Sequence, residues 1–124
     1  MGYDIHITRA KGFFRDNEQC QITDDEWLSY VKSDSELRLA GDNGAYFATW
    51  SGKSQHSEPW FDWSRGNIYT KNPDPPIIEK AIYIADKLGA KVQGDDGEVY
   101  LPNGKIEQGG TIVNKPGMDW RQWG

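Results

Sequence analysis

The segment from Asp74 to Gly89 constrains the fold of this chain more than any other. Asp74 can cap the N-terminus of a helix, and Pro75 is favoured at the first helical position. Gly89 can adopt the left-handed conformation that often ends a helix. Between them, apolar residues recur at the spacing of one helix face: Ile77, Ile78, Ala81, Ile82, Ala85 and Leu88. This face must lie against another apolar surface, so the rest of the chain has to supply one.

A second helix and several strands are predicted around it. Thr23 and Glu26 have the spacing of a capping box, which predicts a helix that begins there and ends near Leu37. The segment Tyr3–Ala10 alternates apolar and polar residues, as in a strand with one buried face. Turn residues and β-formers predict further strands at Ala45 to Trp50, Trp60 to Trp63, Asn67 to Lys71, Ala90 to Gly94 and Glu98 to Leu101.

This order of elements predicts an α+β fold. We expect an antiparallel sheet of about five to six strands, with two amphipathic helices packed on one face and a second face that is partly open. A chain of 124 residues suits a single domain, 1–124. Residues 105–124 are rich in turn formers, and we expect this segment to pack back on the domain or to join a partner through Trp120 and Trp123.

Charge and aromatic content narrow the choice of partner. The formal net charge is −5, and basic residues are scattered rather than clustered. Nucleic acid and membrane are therefore not expected as partners, whereas a basic protein would be attracted. Six tryptophans are many for this length, so some are expected at a surface where aromatic rings often mark an interface. Burial of all six in the core is the alternative.

The sequence favours a cytoplasmic location. Cys20 is the single cysteine, so no intramolecular disulfide can form, which suits a reducing compartment. No basic region followed by an apolar run is present at residues 1–4, and no stretch approaches the roughly 20 apolar residues of a membrane span.

Asp4 and His6 are the candidates for catalysis. Side chains two residues apart on a strand share a face, so Asp4 could orient the imidazole of His6 as a general base. A small hydrolase or lyase would use such a pair. However, no serine lies in a strand–turn–helix nucleophile motif, and an exposed polar strand face explains the same residues. We therefore expect a protein that is not an enzyme.

No cofactor and no metal ion are expected from sequence motifs. The chain has no paired cysteines, no HExxH motif and no phosphate-binding glycine loop. The run Asp95-Asp96-Gly97-Glu98 resembles a fragment of a calcium loop but lacks the distal glutamate. A hairpin turn explains it more simply.

Acidic residues beside large rings are the candidates for partner binding. Trp60 and Asp62 share one face of their strand, and Trp63 lies on the other. A ring beside a carboxylate could bind a lysine or arginine side chain of a partner, or the ring could stack on a sugar. Alternatively, the charge of Asp62 could prevent the edge of the sheet from pairing with another chain. The predicted partner contacts are Trp60, Asp62, Trp63, Asp95, Asp96 and Glu98.

Three stretches of the chain resemble a group of short, uncharacterised bacterial cytosolic proteins: Tyr3–Ala10, Ile22-Thr23 with Glu26-Trp27, and Gly94–Glu98 with Tyr100. The resemblance extends to about Leu101 and implies no catalytic residue. In size and charge such proteins are similar to immunity proteins of bacterial polymorphic-toxin and contact-inhibition systems. The resemblance thus implies a protein that binds and neutralises a basic toxin domain. A hydrolase or lyase that uses Asp4 and His6, and a self-associating structural or regulatory subunit, are the alternatives.

Overall fold

The computed structural model describes residues 3–109, 111–113 and 121. In this part of the chain, two α helices accompany one antiparallel sheet of nine strands. The strands are β1 Asp4–Thr8, β2 Leu37–Leu39, β3 Ala48–Trp50, β4 Trp60–Ser64, β5 Asn67–Lys71, β6 Lys91–Gly94, β7 Val99–Tyr100, β8 Ile106–Gln108 and β9 Thr111–Val113. The helices are α1 Asp24–Ser33 and α2 Pro75–Leu88, and a short 3-10 helix spans Gly41–Asn43.

The predicted α+β class is confirmed, whereas the predicted strand number was too low. The order across the sheet is β2-β3-β4-β5-β1-β6-β7-β8-β9, so the first strand of the chain lies at its centre. The extra strands are β2 at one edge and the β8–β9 pair at the other. Each of these three strands has only three residues, too few for an alternating pattern to be evident in the sequence.

Both helices begin where the sequence predicts. The Thr23 hydroxyl accepts from the Glu26 amide, and the Glu26 carboxylate accepts from the Thr23 amide, so the capping box is complete. Asp74 caps α2, and Gly89 ends it with a φ of 64°. The prediction that α1 continues to near Leu37 was wrong. The helix ends at Ser33, and Leu37 instead pairs with Trp50 in the sheet.

The core lies between the helices and one face of the sheet. Ile5 and Ile7 of β1 are buried there, and Thr8, expected on the polar face, is also fully buried with its hydroxyl accepting from the Ala10 amide. Each large apolar side chain that is buried contributes about 1.5–3 kcal/mol. The same cluster includes residues of both helices and of three other strands: Trp27, Val31, Ile77, Ile78, Ala81, Ile84, Phe61, Ile68 and Val92.

The opposite face of the sheet, which we call the open face, is covered over part of its area. Residues 11–21 cross it between β1 and α1, and Phe14 from this segment stacks on His6 with ring centroids 3.6 Å apart. Asn17 donates to Asn67 of β5, which attaches the segment to the sheet. The part of the open face over β4 and β5 that this segment leaves uncovered carries partly exposed side chains, among them Trp60, Asp62 and Tyr69.

Neither of the two described helices is long and apolar enough to cross a membrane. Trp120 and Trp123, which were expected to pack back or to meet a partner, lie outside the described residues.

Candidate functional site

Antiparallel pairing places four polar side chains in one row across the open face. Asp62 of β4 lies opposite Tyr69 of β5, and Tyr69 lies opposite His6 of β1. His6 in turn lies opposite Gln93 of β6. Directly paired residues of antiparallel strands point to the same side, so the row runs over four adjacent strands.

Trp60 lies at one end of this row, two residues before Asp62. Its ring packs edge-on against Tyr69 at 5.5 Å and stacks on Phe47 at 5.0 Å. The other described tryptophans donate their indole N–H groups to Tyr46, Glu36 and Ile22. Within the described residues the indole N–H of Trp60 has no such acceptor. Trp60 therefore presents a ring and a free donor on a partly exposed surface.

Asp62 is a partly desolvated carboxylate without a cation beside it. Burial raises its pKa, and the hydrogen bond from the Trp63 amide and the nearby Tyr69 phenol offset this rise only in part. None of the ion pairs in the described part of the chain includes Asp62. The pKa of Tyr69 is also raised, first by burial and then by the negative charges of Asp62 and Asp4.

His6 forms its hydrogen bond with Asp95 rather than with Asp4. The distance from His6 Nε2 to Asp95 Oδ1 is 3.0 Å, and Asp95 Oδ2 accepts from the backbone amide of Asp4 at 2.9 Å. Burial raises the pKa of Asp95, but the hydrogen bonds from His6 and Asp4 outweigh it and hold this pKa below its ordinary value. Asp4 contributes its backbone to the pair, while its carboxylate lies nearby: one ligand atom from each of the three residues falls within 4.8 Å of the others.

A cleft of about 690 Å³ opens beside His6, between the sheet and the segment that crosses it. Its lining is mixed and includes Phe14, Arg15, Arg65 and Tyr69. The hydrolase alternative requires a nucleophile within reach of the imidazole. In the described part of the chain, Asp95 is the one side chain that hydrogen-bonds to His6, and no hydroxyl or thiol does so. Within the described residues, no activated side-chain nucleophile accompanies His6.

The structure separates the six predicted partner contacts. Trp60 and Asp62 lie on the open face, and Asp95 lies beside His6 on the same face. Asp96 is exposed at the tip of the β6–β7 turn. Two of the six are placed elsewhere. Trp63 points to the helix side, where its indole donates to Ile22, and Glu98 is buried and accepts from the hydroxyls of Tyr3 and Tyr100.

Tyr69, Phe47 and Phe14 are residues of this face that the sequence analysis missed. Tyr69 could have been found, because Ile68 precedes it on the strand and points to the core, so Tyr69 points to the other side of the sheet. Phe47 lies in the strand predicted at Ala45 to Trp50, but the observed strand begins only at Ala48, and Phe14 lies outside every predicted strand and helix.

Comparison with protein-family models, curated proteins and solved structures finds no match to this chain.

Proposed function

We propose that this chain is a protein-binding module whose open face binds a basic segment of a partner protein. The observation that carries the proposal is the pair Trp60 and Asp62. A free indole donor and a desolvated carboxylate lie two residues apart on the same partly exposed strand face. The carboxylate has neither a lysine nor an arginine of its own within ion-pair distance in the described part of the chain.

A lysine or arginine side chain from a partner would complement both groups. Its charge would pair with Asp62, and its alkyl stem or guanidinium plane would lie against the rings of Trp60 and Phe47. Tryptophan and tyrosine are the residue types that dominate binding energy at interfaces, because they bury much area with few rotatable bonds. The paired rings of Trp60 and Tyr69 supply such an anchor.

The net charge favours the same class of partner. A protein with a formal charge of −5 attracts a basic molecule over a distance of about one Debye length, near 8 Å at physiological salt. The finer proposal is that the partner is a basic toxin domain and that this chain is its immunity protein. Support for it comes from the acidic charge, the small size and the resemblance described for the sequence.

Partner capture with matched variants tests the proposal. The full chain is immobilised as wild type, Asp62→Asn, Trp60→Ala and Asp86→Asn, and extracts of the native host are passed over each. Asp86→Asn is the control because it removes the same charge from an exposed position of α2, on the helix side of the sheet. We expect a basic protein on the wild-type and Asp86→Asn resins, with Asp62→Asn binding it about 30-fold less tightly, which corresponds to about 2 kcal/mol.

Two further measurements use the captured protein. Its association rate should fall with added salt, since charge steers the encounter. For the immunity proposal, co-expression of the wild type or Asp86→Asn should restore growth of cells that produce the partner, and Asp62→Asn should not. Equal capture by the wild type and all three variants would contradict binding at the open face. An association rate that does not change with salt concentration would contradict it as well.

A further inference from the structure

The geometry points to a metal site: we propose that Asp4, His6 and Asp95 bind one divalent transition metal ion of the Zn²⁺ class. Each residue offers one ligand atom, an imidazole nitrogen or a carboxylate oxygen, and the three atoms lie within 4.8 Å of one another. Sequence motifs gave no reason to expect a metal, because the ligands come from two segments that are 89 residues apart at His6 and Asp95. The inference is independent of partner binding at Asp62.

The backbone of the sheet holds all three ligands. Asp4 and His6 alternate with the buried Ile5 on β1, the central strand, so both point to the open face. Ile5 pairs with Gly94 at the end of β6, and Asp95 follows at once. The Asp4 amide donates to the Asp95 carboxylate at 2.9 Å and orients it, and a bound metal ion would replace the proton between His6 Nε2 and Asp95 Oδ1, which are 3.0 Å apart.

The donor set indicates which ions fit. Tetrahedral ligands at about 2.0–2.2 Å from zinc stand roughly 3.4 Å from one another. The ligand atoms lie within 4.8 Å of one another, so pairs of them would have to approach by up to about 1.4 Å through side-chain rotation. One imidazole with two carboxylates suits Zn²⁺ and neighbouring transition metals, whereas Ca²⁺ and Mg²⁺ prefer sites made of oxygen alone. Three protein ligands leave the fourth position to water.

Gln93 is a second and independent indication. It lies directly opposite His6 in the β1–β6 register, and it is 4% exposed. Its Nε2 donates to the carbonyls of Gly12 at 3.1 Å and Gly97 at 2.9 Å, which determines how the amide is oriented. Its Oε1 is then the one buried side-chain nitrogen or oxygen atom in the described residues that lacks a hydrogen-bond partner. A water molecule on a metal ion at the adjacent cluster would supply the missing donor.

Phe14 restricts the imidazole on one side. The two rings stack with an interplanar angle of 13°, so the plane of His6 is held by a contact from the crossing segment 11–21. A ligand whose ring plane is held in this way loses less rotational freedom on binding. The aromatic cover also limits access of water to one side of the cluster.

Metal titration of the full chain tests the proposal. Protein freed of metal by dialysis against a chelator is titrated calorimetrically with ZnCl₂, and separately with MgCl₂ and CaCl₂. We expect one Zn²⁺ per chain. Asp4→Asn should weaken Zn²⁺ binding at least about 10-fold. Because the Asp4 side chain has no hydrogen bond to the rest of the described chain, this variant should keep the wild-type melting temperature. His6→Asn and Asp95→Asn should weaken binding as well.

Two controls separate coordination from general attraction. Asp62→Asn removes an equal charge from the same face, and His56→Ala removes the only other histidine. Both should bind Zn²⁺ within twofold of the wild type. Co²⁺ provides a second signal, since its visible absorption reports a low-coordinate nitrogen and oxygen site and should be lost in Asp4→Asn. The proposal is overturned if Zn²⁺ does not bind, if Asp4→Asn and His6→Asn bind it like the wild type, or if His56→Ala abolishes binding.

Discussion

Asp62 and Tyr69 lie directly opposite each other on β4 and β5, and the Asp62 carboxylate accepts a hydrogen bond from the Trp63 amide at 2.9 Å. The pKa of each group is raised, because both are partly buried and no cation compensates for the charge of Asp62. The pair therefore keeps a negative charge on the surface at the expense of the stability of the folded chain. Such a compromise is typical of residues that serve binding.

Asp62→Asn should stabilise the free protein at neutral pH. The pKa of Asp62 is higher in the folded state than in the unfolded state, so the wild type loses stability as pH rises from the unfolded pKa through the folded one. The amide of Asn is never charged, and its oxygen can still accept the hydrogen bond from the Trp63 amide. We expect a gain of roughly 0.5 kcal/mol at pH 7 that disappears below pH ~4, measured by thermal unfolding across pH. A lower stability than the wild type at pH 7 would contradict this account.

Glu26→Gln should remove part of the acid sensitivity of the fold. Glu26 accepts two hydrogen bonds from Arg9, at 2.9 and 2.6 Å, and one from the Thr23 amide, and these contacts lower its pKa to about 2. A lowered pKa stabilises the fold above the unfolded value of 4.5, and this contribution is lost as pH falls toward 2. Because the Glu26 side chain is 40% exposed and solvent screens its charge, we expect a loss of only about 1 kcal/mol at pH 7 and a flatter dependence of stability on pH below pH ~4.5.

That dependence is read from urea unfolding of both proteins between pH 2 and 7, with Glu79→Gln as the control at an exposed position of α2. Parallel curves for Glu26→Gln and the wild type would show that the ion pair with Arg9 is not what the acid disrupts.

Lys80→Met should destabilise the protein strongly. Lys80 Nζ lies 2.8 Å from Asp34 Oδ2, and the two side chains are only 6% and 7% exposed. Removal of the lysine leaves the Asp34 charge buried without its cation, which costs about 3–5 kcal/mol. The double variant Lys80→Met with Asp34→Asn should recover part of this loss, since no buried charge is left and the amide oxygen can still accept from Tyr30 or Glu36. Lys87→Met, at an exposed position of the same helix, should change the free energy of unfolding by less than about 0.5 kcal/mol.

Gly94→Ala should destabilise the β6–β7 hairpin. A methyl group at this position would clash with the carboxylate of Glu98 and the hydroxyl of Tyr3, which hydrogen-bond to each other in the buried cluster. We expect a loss of about 1–3 kcal/mol in chemical unfolding. Gly12→Ala is the matched control, because no atom lies within 4 Å of the added methyl group. Equal stability of the two variants would mean that the side chains of Glu98 and Tyr3 move to accommodate the methyl group without loss of stability.

Local signals predicted the starts of both helices and the strands β1, β4 and β5 correctly. Capping by Thr23 and Asp74, the left-handed Gly89 and the alternation in β1 depend on residues no more than four positions apart. The end of α1 was mispredicted because Leu37 was assigned to the apolar stripe of the helix, although it lies six residues after Val31 and therefore on a different face. In the folded chain Asp34 is instead held by Lys80, which lies 46 residues later, and Leu37 is recruited to the edge of the sheet.

The sequence alone determined the class of fold, the starts of the helices, and the fact that Trp60 and Asp62 share one side of a strand. Tertiary structure alone decided that Asp95 is the partner of His6, that Glu98 is buried between two tyrosines, and that Trp63 faces the helices. The physical reason is the distance along the sequence over which each kind of interaction acts. Periodicity and capping act over a few residues, whereas these contacts depend on the register between β1 and β6 and on which face of the sheet the helices cover.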